Sequence, residues 1–416
     1  MGGASEVARL LRRPGYARYF LVVAAARATG TMFNVAGVLL VLARTGSLVL
    51  AGITVAAATL PGALTGPFLG AWLDVTASRR RLLVLDRLVT AGALLALLLL
   101  AGHGPNWLLP VIGVAYGATS PLSSGAFSAA LPEVAGPDLL NVANTFEATS
   151  INVAFIVGPA LAGLISGTAG PAVALEVQLG AGVLLALAIA GDHTFELRPV
   201  AAAQRAQGLL NTVREGMRAM AGIAALRWNV LVSTFYVAGW GTLNVGFPVY
   251  AERVHAPASA SGYMWAAVSL GSMISAFAFR RRAMALNTAS LIAGSFTAMA
   301  ASVALWLLVH SLLPALLLVG LTGLLEGPSL VALIGVRQRL APPHLRGQIF
   351  ATVGSLNLAA IAAGSAAAGP LHAALGTAAT LLCFALLMLA AGLITLVTGG
   401  GSRGRGAAPE RAAQHG

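Results

Sequence analysis

"ANTFEATSINVAFIVGPALAGLI", residues 143–165, is almost wholly apolar, yet it carries Glu147 near its start and a Gly-Pro pair at its centre. A run of this length can cross a bilayer core as a helix, which takes roughly 20 residues. Its carboxylate and its proline then each need a reason, since an ionisable side chain at the bilayer centre costs about 2.5 to 3.5 kcal/mol even on a lenient scale. The whole chain is built the same way. It is 58% hydrophobic and 9% charged with a mean hydropathy of +0.85, against about 25% charged residues in soluble domains. Long uncharged runs recur throughout, which reads as an all-α integral membrane protein; a membrane β-barrel would show short alternating segments instead. The first run, from about Tyr19 to Ala43, exceeds a signal-peptide core and lacks a convincing cleavage site, so it reads as retained.

The apolar runs place twelve transmembrane helices at 17–43, 48–73, 82–101, 107–130, 142–165, 172–190, 228–251, 261–279, 287–309, 312–335, 349–371 and 378–397. This divides the chain into a six-helix bundle over 1–190, a linker over 191–227, a second six-helix bundle over 228–397 and a disordered tail over 398–416. In the linker, Leu209, Val213, Met217 and Met220 share one helical face, as in an amphipathic helix lying along the membrane surface. A net charge of +12 would suggest nucleic-acid binding in a soluble protein. Here every basic residue is an arginine, and the arginines gather in the connections between apolar runs. With the N-terminus in the cytoplasm, Arg44 and Arg253 alone lie outside, Arg27 lies in the membrane, and the others lie at the cytoplasmic side or its edge. That bias predicts both termini inside a cell membrane and no nucleic-acid partner. Cys383 is the only cysteine, so no intrachain disulfide and no cysteine-zinc site can form.

The two halves repeat each other. At an offset of 209, Arg18, Gly30 and Gly37 fall on Arg227, Gly239 and Gly246. At 206, Gly117, Gly158 and Gly163 fall on Gly323, Gly364 and Gly369, and the loop "VAGPDLLN" falls on "LAPPHLRG". Duplicated bundles are the architecture of a transporter whose site lies between the repeats.

Two motifs carry a family resemblance. "GAWLDVTASRRRL", residues 70–82, matches the loop signature G-x-L-a-D-R-x-G-R-K-x-x-L at Gly70, Asp74, Arg79 and Leu82, and departs from it at Val75, Ala77 and Ser78. "AFIVGPALAG" matches the fifth-helix signature g-x-x-x-G-P-x-x-G-G at Gly158, Pro159 and Gly163, with Ala154 and Ala162 where glycine is preferred. Over nearly its full length the chain thus resembles the major facilitator superfamily, in its bacterial exporter-like branch. The resemblance implies that family's fold, two pseudo-symmetric six-helix bundles, and a gating role for Gly70, Asp74 and Arg79. In the family the aspartate contacts the start of span eleven, where exposed helix N–H groups favour a carboxylate. The second motif implies a bent contact helix between bundles, since proline removes a backbone hydrogen bond and small neighbours admit a partner helix. The intramembrane arginine that many proton-coupled relatives carry in span four is missing here.

Three ionisable residues lie clearly inside spans: Arg27, Glu147 and Glu326. Arg27 lies roughly 12 to 15 Å from the cytoplasmic end of span one and Glu147 about 8 to 12 Å from that of span five, at 1.5 Å per residue. Arg27, Thr31 and Asn34 share a face, as do Asn144, Glu147, Ser150, Ala154 and Gly158. Because the resemblance makes spans one and five neighbours, an Arg27–Glu147 pair is expected, serving either transport or only the orientation of the two helices. Glu326 has no arginine at its depth; burial disfavours the charged form of such a carboxyl, which suits proton exchange or a cationic substrate, while a hydrogen bond to a neighbouring helix is the alternative. Asp86 and Arg87 read as a snorkelling pair at the membrane surface. The resemblance puts spans four and seven along the cavity, so Tyr116 and Ser120, with Ser123 and Phe127, and Tyr236 and Trp240 are expected to line an apolar, aromatic pocket for amphipathic organic molecules.

The expected function is therefore proton-coupled efflux by a monomeric carrier embedded in lipid, with a small-molecule substrate and protons as partners and with no cofactor. Uptake, uncoupled facilitation or a transport-inactive scaffold are the alternatives. A membrane enzyme is not expected: the chain has no lysine, hence no phosphate-binding loop ending in one, and no His-x-x-x-His or paired-aspartate motif for a metal.

Overall fold

The computed structural model describes residues 2–75, 79–195, 218, 221–278, 288–342 and 346–400. Among these the secondary structure is helical: α1 (Gly2–Leu11), α2 (Tyr16–Thr45), α3 (Leu48–Val75), α4 (Arg79–Leu100), α5 (Leu108–Ala118), α6 (Ser120–Ala135), α7 (Leu140–Thr168) and α8 (Pro171–Ala190) form the first half. The second half comprises α9 (Ala224–Arg253), α10 (Ser261–Ala278), α11 (Thr288–Leu308), α12 (Leu312–Leu340) and α13 (Arg346–Gly400). Nine described helices are by themselves long and apolar enough to cross a membrane. One of them is α13, which turns back at Gly376, where φ is 81° and only glycine is unstrained, and so supplies two crossings. With α10, and with α5 and α6 in tandem, the crossings number twelve.

Span four is the one crossing that departs from the expected form. Instead of one helix over 107–130, it breaks at Thr119, and Pro121 in the first turn of α6 restarts it. Proline lacks the N–H that would have continued the α5 ladder. The four residues of the linker's expected amphipathic face, Leu209, Val213, Met217 and Met220, lie outside the described residues, as does the tail beyond 400.

Packing repeats across the halves. In the first, α2 lies on α7, α3 on α5, and α4 on α8; in the second, α9 lies on α13, α10 on α12, and α11 on α13. The halves meet through α3 against α13 and α7 against α10, which is the same contact made twice. Small residues set each of these approaches. A β-carbon on Gly117 would strike the Ala58 carbonyl, and one on Gly323 the Val268 carbonyl. One on Gly158 would strike the Ala28 carbonyl, and one on Gly364 that of Ala238. Gly163 lies against Ser259 and Gly262, and Gly369 against Leu48 and Val49. The glycines that repeat in the sequence therefore make repeating backbone contacts, as close helix packing in lipid requires.

The inter-half contacts formed by these glycines cluster near the arginine-poor end, where α3 and α10 begin and α7 ends. Trp265 of α10 packs on hydrophobic clusters of both halves there. The second half has one large core running from Val232 to Ala391 and a four-residue cluster near Ile349. The first half has two cores: one at the arginine-rich end around Tyr19, Leu83 and Phe127, and one at the other end around Phe33, Leu97 and Leu175.

Candidate functional site

Arg27 on α2 and Glu147 on α7 meet at 2.7 Å, with their side chains 14% and 15% exposed. The guanidinium also donates to the Ser150 hydroxyl at 2.5 Å and to the Glu147 carbonyl at 3.3 Å. One turn further along the same α2 face, Thr31 donates to the carbonyls of Ala154 at 2.7 Å and Ala28 at 2.9 Å. A β-carbon on Gly158 would collide with this hydroxyl, so the glycine is what lets α2 and α7 close on each other. Asn34 is half-buried on the same helix.

The Gly-Pro motif serves two interfaces. Gly158 faces α2 within its own half, whereas the Pro159 carbonyl and Gly163 lie against Gly262 of the other half. The helix runs through Pro159 from Leu140 to Thr168 without interruption.

Glu326 on α12 is 8% exposed and accepts a hydrogen bond from the Tyr236 hydroxyl of α9, with the Ser272 hydroxyl of α10 as a second donor. It is therefore held by two neighbouring helices rather than left unpartnered. Tyr236 stacks on Phe296 at 5.3 Å, and Trp240 packs on Trp265 and Phe384 at 5.7 and 5.1 Å. Both are buried in the second half's core, not spread along a wall, because their rings fill the space between α9, α10, α11 and α13.

Span four also differs from the expected stripe. Tyr116 stacks on Phe33 at 3.9 Å and accepts a hydrogen bond from Gln178 at 2.9 Å. Ser120 is exposed, whereas Phe127 is buried in the core at the arginine-rich end. Ser123 points instead at Asp86 of α4, to which it donates.

That contact belongs to a cluster the sequence reading missed. Asp86 is 0% exposed; its Oδ2 accepts from Arg87 Nε at 3.0 Å as well as from Ser123, and Arg87 also donates to Ser123 at 3.0 Å. These two residues do not snorkel. α4 starts at Arg79 and not at 82, which carries Asp86 two turns into the helix. A second overlooked group is Arg337, 6% exposed on α12, whose Nε donates to Asn229 at 3.1 Å and whose guanidinium lies over Phe350. The signal available in the sequence was its distance from the loop, offset there by its neighbour Arg339.

Gly70 and Asp74 fall on the last turns of α3 and Arg79 opens α4; their side chains lie outside the described residues. Among the described residues no cluster of three or more His, Cys, Asp or Glu side chains could hold a metal ion. The ion pairs of Arg27 with Glu147, Arg87 with Asp86, Arg18 with Asp192 and Arg13 with Asp138 each lie within the first half.

Residues 19–357 match the family described as the Major Facilitator Superfamily. The multidrug efflux pump Tap of Mycobacterium tuberculosis is 30% identical over 403 residues, covering 92% of this chain and 93% of that protein. An uncharacterized MFS-type transporter, y4rN, of Sinorhizobium fredii is 28% identical over 378 residues, covering 86% and 89%. Among solved structures, the nucleoside transporter NupG superposes with a TM-score of 0.72 at 12% identity, covering 91% of this chain and 99% of that one. A bacterial homologue of the iron transporter ferroportin, solved in an inward-facing state, gives 0.69 at 17% identity, covering 92% and 98%.

Proposed function

The chain belongs to the major facilitator superfamily and is a multi-pass membrane transporter, and from that premise we propose that it exports small amphipathic organic molecules in exchange for protons. The observation that carries the coupling is the placement of Glu326: a carboxyl at membrane depth, held by the Tyr236 and Ser272 hydroxyls and with no cationic partner among the described residues. Such a group can be neutral or charged without breaking an ion pair, so a proton or a cationic substrate can take its place in turn. Arg27 and Glu147 already satisfy each other and serve as the complementary polar point in the first half. The efflux direction is supported by the Gly158-Pro159-Gly163 motif and by the likeness to a multidrug efflux pump.

In this reading the arginine-rich end faces the cytoplasm. The contacts near the other end close the outer side, and substrate enters from within. Exchange works because proton and substrate favour different states of one carrier. Asp74, with Gly70 and Arg79, gates the cytoplasmic side against the start of α13.

The test uses purified protein in liposomes with an imposed pH gradient and a panel of amphipathic organic cations. Substrate-dependent proton movement is expected for the parent and for Glu326→Asp, and is expected to vanish in Glu326→Gln. Unchanged coupling in Glu326→Gln removes the assigned role; substrate movement that ignores the gradient in the parent points to uncoupled facilitation.

A further inference from the structure

The first half contains a polar layer of which the transport reading uses only the Arg27–Glu147 pair. Arg27, Glu147, Asp86, Ser123 and Gln178 lie roughly 10 to 18 Å from the arginine-rich ends of their helices at 1.5 Å per residue. The first half's buried apolar side chains form two clusters, one towards each end of its helices, with this layer between them in α2, α4 and α7. The second half shows no such division across its main core.

Span four breaks one turn beyond Ser123, and its two pieces are held differently. α5 is fixed to α3 by backbone contact, since Gly113 and Gly117 admit the carbonyls of Thr54 and Ala58. At the end of α5, the Ala118 carbonyl accepts a long 3.3 Å bond from Thr65 of α3. α6 is fixed instead by Ser123 on Asp86 and Arg87, by the Tyr19 hydroxyl on the Phe127 carbonyl, and by apolar packing on the arginine-rich cluster. Asp86 Oδ1 and Gln178 Oε1 in this layer, and Thr119 Oγ1 at the break one turn beyond Ser123, are buried without a hydrogen-bond partner. Buried polar groups in a native fold are normally satisfied, so a carboxylate oxygen left over at the latch and a hydroxyl left over at the break mark an arrangement with a second solution.

We propose that Asp86 is a positioning residue: with Arg87 it latches the α6 segment through Ser123, and the first half bends at this polar layer when the carrier changes state. The apolar cluster at the arginine-rich end, with α6 and the adjoining ends of α2, α4, α7 and α8, then moves as one body relative to the cluster anchored by α3 on the second half. Packed cores transmit motion as units, and a seam between two cores is where one unit slides on another. The inference does not rest on proton coupling or on a particular substrate, because it concerns geometry within one half.

The experiment measures spin-label distances in the full chain in lipid nanodiscs, in a Cys383→Ser background. One pair joins Trp107 before α5 to Glu133 on α6, both exposed and both in the first half. The control pair joins Tyr263 to Gln338 in the second half, also exposed. Rigid rocking of the halves changes neither distance. The proposal expects two populations for the first pair and one for the control, with the population ratio of the first pair shifted in Asp86→Asn and brought back towards the parent in Asp86→Glu. Ser123→Ala, which removes one hydroxyl and little volume, is expected to shift the ratio the same way and keeps the test open if Asp86→Asn does not fold. A single narrow distance for both pairs overturns the bend, and two populations indifferent to both substitutions overturn the latch.

Discussion

In the first half of the molecule, the two carboxylates buried at membrane depth, Glu147 and Asp86, are each paired with an arginine. Among the described residues of the second half, the one buried carboxylate, Glu326, is held by hydroxyls, and a buried cation, Arg337, is held by an amide and an aromatic ring. The backbones of the halves are near copies, since the same glycine contacts recur between equivalent helices. Small residues have therefore preserved the scaffold while the polar side chains diverged. The divergence separates two kinds of polar site: arginine–carboxylate pairs in the first half, and in the second a carboxyl and a guanidinium that are each held by neutral partners. It also divides the mechanics, because the charged layer interrupts a core that is continuous in the duplicate.

The sharpest way to break this comparison is to remove one member of the buried ion pair. Glu147→Ala leaves the Arg27 guanidinium without its carboxylate and is expected to cost about 3 to 5 kcal/mol, the usual penalty for an abandoned buried charge. Replacing both residues together, Arg27→Leu with Glu147→Leu, is expected to recover most of that loss, because neither charge then remains to be compensated. Thermal unfolding in detergent measures both. If the single substitution is no worse than the double, the pair is not what balances the charges of this half.

The second half is expected to respond more mildly. Tyr236→Phe keeps the ring that stacks on Phe296 and deletes the hydroxyl that serves Glu326, so its expected cost is about 1 to 3 kcal/mol for a buried acceptor that loses a donor. Carrying the change in the Glu326→Gln background should shrink that cost, since an amide oxygen needs the donor less than a carboxylate does. Equal costs in both backgrounds would mean that the tyrosine matters for packing alone.

Most of the architecture was legible because lipid imposes a simple rule on sequence: a crossing must be long, apolar and helical. The duplicated glycines followed from offset, and the Arg27–Glu147 pair from helical phase together with the resemblance that sets spans one and five side by side; both survive an error of a residue or two in the span ends. Asp86 did not, because its meaning depends on where α4 starts; three residues of error turn a buried latch into a surface pair. The break at Thr119 escaped notice for a related reason. Pro121 stands in a run apolar enough to be read straight through, so Ser123 and Phe127 read as one stripe with Tyr116 and Ser120. Tyr236 and Trp240 had the expected spacing, but periodicity gives a face and not what covers it.

The mildest test concerns an ion pair of the first half that lies at its surface. Arg13 donates to Asp138 at 2.9 Å and to the Ala135 carbonyl at 2.6 Å, which ties the chain ahead of α2 to the loop between α6 and α7. The hydrogen bond from Arg13, followed by one from Asp138's own backbone, holds this carboxyl below its ordinary value. A value lowered by folding means that the unfolded chain binds the proton more readily, so the pair's contribution is present above the unfolded carboxyl's range and fades as pH falls through the folded value. Because the carboxyl is exposed, water screens the pair and the effect should be a small fraction of that of Glu147→Ala. Melting curves of the parent and of Asp138→Asn should differ slightly at neutral pH and converge in acid. A gap that persists unchanged in acid would show that Asp138 acts through loop geometry and not through charge, leaving burial as the only condition under which this half's ion pairs carry weight.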